Sequence, residues 1–271
     1  VLTDFSNIVA RALKEDIGAG DVTSDNTVPA DLKAEGTFFA KQQLVLAGGY
    51  VLNLIFSSVE RLHPDGTLLE KGQPIATVRG TARSLLKHER VALNFMQRLS
   101  GIATLTKRYV DRTAGTSCRI LDTRKTTPGL RMMEKLATKA GGAVNHRMGL
   151  YDAILIKNNH IDLAGGVKAA VTMAQASGMP VECEVRDHAE LAEALELGVS
   201  RILLDNLTPE QAADEIRFID GRASVEISGG VKLDTVHAYA QTGADFISVG
   251  ALTHSAPAAD INFRIKPIFN A

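Results

Sequence analysis

The chain has 271 residues, a hydrophobic fraction of 45%, a charged fraction of 23% and a formal net charge of -1. This length allows one large domain or two ordinary ones with a sizeable core, and the composition is that of an ordinary globular protein. A charge so near balance excludes a global field drawing the chain to nucleic acid or membrane, so any anion affinity must come from a local basic cluster.

In chain order, a helical pattern over residues 4–16 is followed by a Gly- and Asp-rich loop at 18–25. Strand-like runs come next at 34–40, 44–47, 68–69 and 75–78, the later ones set off by the turn signals Pro64-Asp65-Gly66 and Glu70-Lys71-Gly72. This part reads as a small α+β domain. Its longest apolar stretch, 44–56, is broken by Gly48 and Gly49 and is too short to span a bilayer. The chain opens without a signal-like charged and apolar run, so export is not expected. A long helix is predicted over 82–99, with Leu86, Leu93, Met96 and Leu99 near one face and Lys87, Arg90, Asn94 and Arg98 near another.

From residue 118 the pattern turns regular. Apolar strand candidates recur at 118–121, 153–156, 181–185, 202–204, 224–227 and 246–249, with helical stretches between them. Thr127-Pro128 fits a helix N-cap followed by proline at the first helical position. Asp187 with Glu190 and Thr208 with Gln211 have capping-box spacing, and Gly178, Gly198 and Gly243 stand where helices end. Strand–helix alternation argues for a parallel sheet. Six units with no long interruption favour an irregular β/α barrel of about six to seven strands. Cys118 and Cys183 lie 65 positions apart with no metal or redox spacing, as expected of buried thiols in a reducing cytoplasm.

In such a barrel, reactive groups come from the C-terminal ends of the strands. Here those ends carry Asp122-Thr123-Arg124-Lys125, Lys157-Asn158-Asn159-His160, Glu184, Asp205-Asn206, Ser228-Gly229-Gly230 and Gly250. Any one of them could be a solvated loop residue or a cap, and Arg186 and Asp187 read that way. Their convergence on one mouth shifts the balance. Arg124, Lys125 and Lys157, joined by His146 and Arg147, form a cationic half suited to carboxylates and phosphates. Glu184 and Asp205 form an acidic half that suits Mg²⁺ on phosphate oxygens. The glycines let backbone N–H groups approach a phosphate closely. His146 and His160, 14 apart, read as donors rather than zinc ligands.

Several segments together resemble the quinolinate phosphoribosyltransferases. They are Glu89-Arg90-Val91-Ala92-Leu93-Asn94 with Leu99-Ser100-Gly101-Ile102-Ala103-Thr104, the run Asp122 to Arg131, Asn145-His146-Arg147-Met148-Gly149-Leu150, Ile156-Lys157-Asn158-Asn159-His160-Ile161, Glu226-Ile227-Ser228-Gly229-Gly230, and Val249 to Ser255. The resemblance implies an α/β fold in which an N-terminal α/β sandwich domain (1–104) precedes a barrel (105–258) and a tail (259–271) returns to the first domain. It implies transfer of phosphoribosyl from phosphoribosyl pyrophosphate to quinolinate, with decarboxylation to nicotinate mononucleotide, by a Mg²⁺-dependent, cytoplasmic homodimer. Arg90, Arg124, His146, Arg147 and Lys157 would bind quinolinate, with Arg90 reaching across the dimer. Lys125, Lys157, Glu184 and Asp205 form the expected catalytic set, Glu184 and Asp205 serving the metal. Ser228, Gly229, Gly230, Gly250 and Ala251 would hold phosphate. The chain departs from the pattern at Asn158, where many members have aspartate, and at Ile227, where a smaller residue is common. Two alternatives remain: a related transferase acting on another base, and a non-catalytic phosphate-binding regulator on the same barrel.

Overall fold

The computed structural model describes residues 2–269. The chain divides into two compact units, one of Val1–Lys107, Thr126–Gly142 and Thr253–Ala271, the other of Arg108–Lys125 and Ala143–Leu252.

The first unit comprises α1 (Leu2–Ile17), α2 (Val22–Thr27), β1 (Lys33–Ala40), β2 (Leu44–Val45), α3 (Leu52–Ile55), β3 (Val59–Arg61), β4 (Leu68–Leu69), β5 (Pro74–Thr81), most of α4 (Ala82–Arg112), α5 (Arg131–Ala140) and β12 (Ile261–Pro267). Its sheet is antiparallel in the order β12-β1-β5-β3. Strict burial alternation along β1 puts Ala34, Gly36, Phe38 and Ala40 on the inner face, as the two-residue period of a half-buried strand requires. The Phe38 ring packs tilted against Phe263 of β12, centroids 4.6 Å apart, and Leu85, Leu93 and Met96 of α4 join that core.

Three expectations are corrected here. The long helix runs through Ser100 and Gly101 to Arg112 instead of stopping at residue 99. Packing explains the glycine inside the helix, because a Cβ on Gly101 would lie 2.0 Å from the Pro257 carbonyl oxygen and only glycine allows that approach. The strand expected over 44–47 is only two residues long, because the Ala47 N–H donates to the Ser100 hydroxyl (3.0 Å) and that hydroxyl donates to Ala47 O (3.1 Å). The helix after Thr127-Pro128 begins three residues later than the cap signal implies, with Leu130 at the N-cap. Thr127 instead donates its N–H (3.0 Å) and hydroxyl (2.7 Å) to Glu134, a fully buried carboxylate also bound by Arg98 at 2.9 Å. With Met133 and Ala137 packed on Leu99 and Ile102, this groups Thr126–Gly142 with the first unit rather than with the barrel.

The second unit contains β6 (Arg119–Leu121), β7 (Ile154–Ile156), α6 (Asn158–Ala164), α7 (Val167–Gln175), β8 (Val181–Val185), α8 (His188–Glu196), β9 (Arg201–Asp205), α9 (Pro209–Ile219), β10 (Ser224–Ser228), α10 (Val236–Ala240) and β11 (Phe246–Ser248). The short α11 (Ala251–His254) begins in it. All six strands are parallel, in the order β6-β11-β10-β9-β8-β7. First and last strands in sequence therefore pair, which closes the ring on that side. A single parallel bridge, Leu121 to Val144, adds a seventh position beside β6. Among the described residues the ring stays unpaired between that bridge and β7, so the barrel is irregular, as expected from its six strands. Thr208 and Gln211 exchange both bonds of a capping box at α9. Asp187 caps α8 through the Glu190 N–H (2.9 Å), but the Glu190 carboxylate turns to Arg186 instead, so that box is half made.

Candidate active site

Alternation along the buried strands decides what faces the barrel interior. On β8, Glu182 and Glu184 share one face while Val181, Cys183 and Val185 share the other. At the C-terminal strand ends a pocket of about 260 Å³ opens, lined by Arg124, Lys125, His146, Arg147, Lys157 and Ser228, with Glu226 also in its wall. Five predicted basic groups are thus brought to one cavity.

Two aspartates, one buried and one exposed, support these side chains. Asp122, fully buried at the end of β6, accepts from Asn145 Nδ2 (2.6 Å) and from the His146 N–H (2.8 Å). Asp152 accepts from the N–H groups of Met148 (2.5 Å) and Gly149 (2.9 Å), fixing the next turn. Arg147 donates Nη1 to Ala153 O (3.0 Å). Burial, and then the charge of Arg124, hold Arg147 below its ordinary value. Arg124 Nε is itself buried with no hydrogen-bond partner. Two guanidiniums placed against each other, one with an unmet donor, are a cost that an incoming anion removes.

Lys157 Nζ lies 3.3 Å from Glu184 Oε2, linking the cationic and acidic halves. Glu184 is buried, whereas Lys157 is half exposed. Asp205 ends β9 beside Ser228 of β10 and accepts from Asn206 Nδ2 at 2.6 Å. Asn206 donates its N–H to Ser228 O (2.9 Å) and has φ 59°, while Gly229 has φ 92°. A Cβ on Gly229 would fall 2.2 Å from Asn206 Oδ1, so glycine is demanded here by both conformation and space. Glu184, Asp205, Gly229, Gly230, Gly250 and Ala251 do not line the pocket itself. Arg90 is exposed on α4 in the first unit. His160 accepts from the Lys157 N–H through Nδ1 (2.9 Å), which caps α6 and leaves Nε2 as its donor nitrogen. Asn158 Oδ1 is buried without a partner.

The sequence reading missed a network under the pocket. His146 Nε2 lies 3.4 Å from Glu182 and 3.5 Å from Glu226, and Arg201 pairs with both carboxylates, at 3.3 Å and 2.5 Å. Burial works against a charge on His146, but the two carboxylates outweigh it and push the ring up to about 9. Charging the ring comes at the expense of the Arg147 N–H bond to Nδ1 (2.7 Å). Burial is also the largest influence on Glu226, yet His146 and Arg201 hold its carboxyl below the usual range, while burial raises Glu182. The signal was present: a glutamate inside the apolar run 224–227, and two at alternate positions of 181–185, must point into the barrel. His146, Glu182 and Glu226 also form the one set of three metal-capable groups among the described residues, but Arg201 and His146 already neutralise the carboxylates. No helix of the described residues is long and apolar enough to cross a membrane.

Known proteins share this chain's sequence pattern and fold. Residues 21–100 match the family described as quinolinate phosphoribosyl transferase, N-terminal domain, and residues 102–264 match its C-terminal domain. A Bacillus subtilis protein named probable nicotinate-nucleotide pyrophosphorylase (carboxylating) is 41% identical over 260 residues, covering 93% of this chain and 90% of that one. A Nicotiana tabacum protein named quinolinate phosphoribosyltransferase (decarboxylating) 1b is 42% identical over 290 residues, covering 97% and 82%. The crystal structure of NadC from Streptococcus pyogenes superposes with a TM-score of 0.95 at 36% identity, covering 99% of each chain.

Proposed function

Because the chain belongs to the quinolinate phosphoribosyltransferase family, a group of phosphoribosyl-transferring enzymes of NAD biosynthesis, we propose that its barrel mouth holds quinolinate and phosphoribosyl pyrophosphate together. The products are nicotinate mononucleotide, pyrophosphate and carbon dioxide. The observation that carries this assignment is the convergence of Arg124, Lys125, His146, Arg147 and Lys157 on one cavity, with the Arg124 Nε donor unmet. A dianion answers that arrangement better than a neutral base does.

In this reading Arg124, Arg147 and Lys157 orient the two carboxylates, and Arg90 is supplied by the second subunit of a homodimer. An apolar groove of about 510 Å³ beside β7, flanked by the exposed Leu163 and Met173, supports a partner copy. Ser228, Gly229, Gly230, Gly250 and Ala251 take the phosphates. Glu184 and Asp205, hard oxygen donors on the adjacent strands β8 and β9, suit Mg²⁺ that keeps waters and phosphate oxygens. When bound, the ion neutralises charge on the pyrophosphate. As pyrophosphate leaves, the ribosyl carbon becomes electron-poor, and the same two carboxylates are the anions at the strand ends suited to stabilise that developing charge. Ring-nitrogen attack then produces a pyridinium, whose electron demand permits loss of the carboxylate next to nitrogen. The protein contributes orientation and charge rather than a covalent step. Two free, buried thiols, Cys118 and Cys183, fit a reducing cytoplasm.

The test is an assay with quinolinate, phosphoribosyl pyrophosphate and Mg²⁺, following nicotinate mononucleotide and carbon dioxide, with nicotinate in parallel. Product from quinolinate alone is expected. Turnover of nicotinate or another base in its place would move the assignment to the related transferases.

A further inference from the structure

The pocket contains a contradiction. Its wall includes Glu226, 1% exposed, in a site whose other charges are cations awaiting an anion. An uncompensated carboxylate there would repel a dicarboxylate. Below it, at the N-terminal strand ends, lies a second polar cavity of about 490 Å³, lined by Arg201, Glu182 and Arg119 and sharing His146 and Arg147 with the pocket above. Arg201 does not line the upper pocket, yet its Nη2 lies 2.5 Å from Glu226 Oε2 and its Nε 3.3 Å from Glu182 Oε1. Its guanidinium also rests 4.4 Å over the Phe246 ring, which fixes it from the other side.

We propose that Arg201 is a positioning and specificity residue: from outside the pocket it cancels Glu226 and Glu182, so that the anion site above them presents its basic groups without an opposing charge. The inference rests on the quinolinate reading given above. Three features support it. Of the cations on Glu226, Arg201 is the one outside the pocket; the other, His146, belongs to the pocket wall itself. Register places Arg201 level with Glu182 of β8, so the pairing is built into the strands. The effect should also scale with substrate charge, because a dianion feels an uncovered carboxylate twice as strongly as a monoanion.

The experiment compares wild type with Arg201→Met, Arg201→Lys, Glu226→Gln and the Arg201→Met/Glu226→Gln double variant. Thermal unfolding establishes that each is folded. Steady-state kinetics and calorimetry measure quinolinate KM, kcat and Kd, with nicotinate as a monoanionic ligand in the binding series. Arg201→Met should raise quinolinate KM and Kd on the order of tenfold, the size expected of one unit charge felt across a partly desolvated site. Nicotinate binding should weaken less than quinolinate binding. The double variant should return quinolinate KM towards wild type, because a neutral glutamine leaves nothing to cancel. A merely structural role predicts the reverse, a double variant worse than either single one.

Arg201→Lys should lie between wild type and Arg201→Met, and Glu226→Gln should keep KM at or below wild type. Wild-type KM in folded Arg201→Met, or no recovery in the double variant, overturns the inference alone. If Arg201→Met does not fold, a Glu226→Gln variant with a tenfold higher KM overturns it. A wild-type protein that neither binds nor turns over quinolinate overturns both this inference and the proposed function.

Discussion

Replacing Arg147 by alanine separates what the pocket does from what holds it together. The guanidinium makes one internal hydrogen bond, to Ala153 O, and lies in the field of Arg124. Losing the bond costs about 1 kcal/mol, and relief of the repulsion between like charges offsets part of that. Stability should therefore change by less than about 1 kcal/mol, a melting shift of at most about 2–4 °C for a chain of this size. The substrate loses far more. One charge-assisted contact is worth about 1.5–3 kcal/mol, which is about tenfold to 150-fold in kcat/KM for quinolinate. The assay is initial-rate formation of nicotinate mononucleotide over a quinolinate series, alongside a melting curve of the same preparation. A kcat/KM within twofold of wild type refutes the reasoning. So does a melting loss well beyond the stated range, which would make Arg147 a structural residue.

Glu184→Gln should shift the Mg²⁺ titration of phosphoribosyl pyrophosphate use to higher metal, since one hard anionic ligand becomes a neutral amide; an unchanged titration removes Glu184 from that role. Arg98→Met leaves the fully buried Glu134 without its cation and should cost about 3–5 kcal/mol in urea unfolding, where a loss under about 1 kcal/mol would show that Thr127 alone satisfies the carboxylate. Gly101→Ala drives a methyl into the Pro257 carbonyl and should cost about 1–3 kcal/mol by the same measurement, with wild-type stability meaning that the segment around Pro257 moves away freely.

The parallel unit was legible in the sequence because its signals are local. Short apolar runs alternate with capped helices, and a buried strand five residues long leaves little freedom in its bounds: 181–185 was read as it is observed. The polar residues after those runs were legible for the same reason, since the chain must leave each strand at the barrel mouth. Signals that depend on distant contacts were not. Nothing near Ser100-Gly101 announces that a helix continues through it, because the partner that makes glycine necessary is Pro257. Thr127-Pro128 carries a good cap signal that loses to a buried carboxylate seven residues on, itself anchored by Arg98.

The same division holds at the site. Sequence alone determined that basic and acidic groups stand at the strand ends, because strand period and chain direction put them there. Only the tertiary structure decided which of them meet, for a reason of geometry: parallel strands far apart in sequence become neighbours, as β6 and β11 do, and side chains converge across the barrel interior rather than along the chain. Asp122 under His146 and Arg201 under Glu226 are products of that convergence. A charge in an apolar strand can be seen in the sequence; the cation that makes its burial tolerable becomes visible only when the strands are side by side.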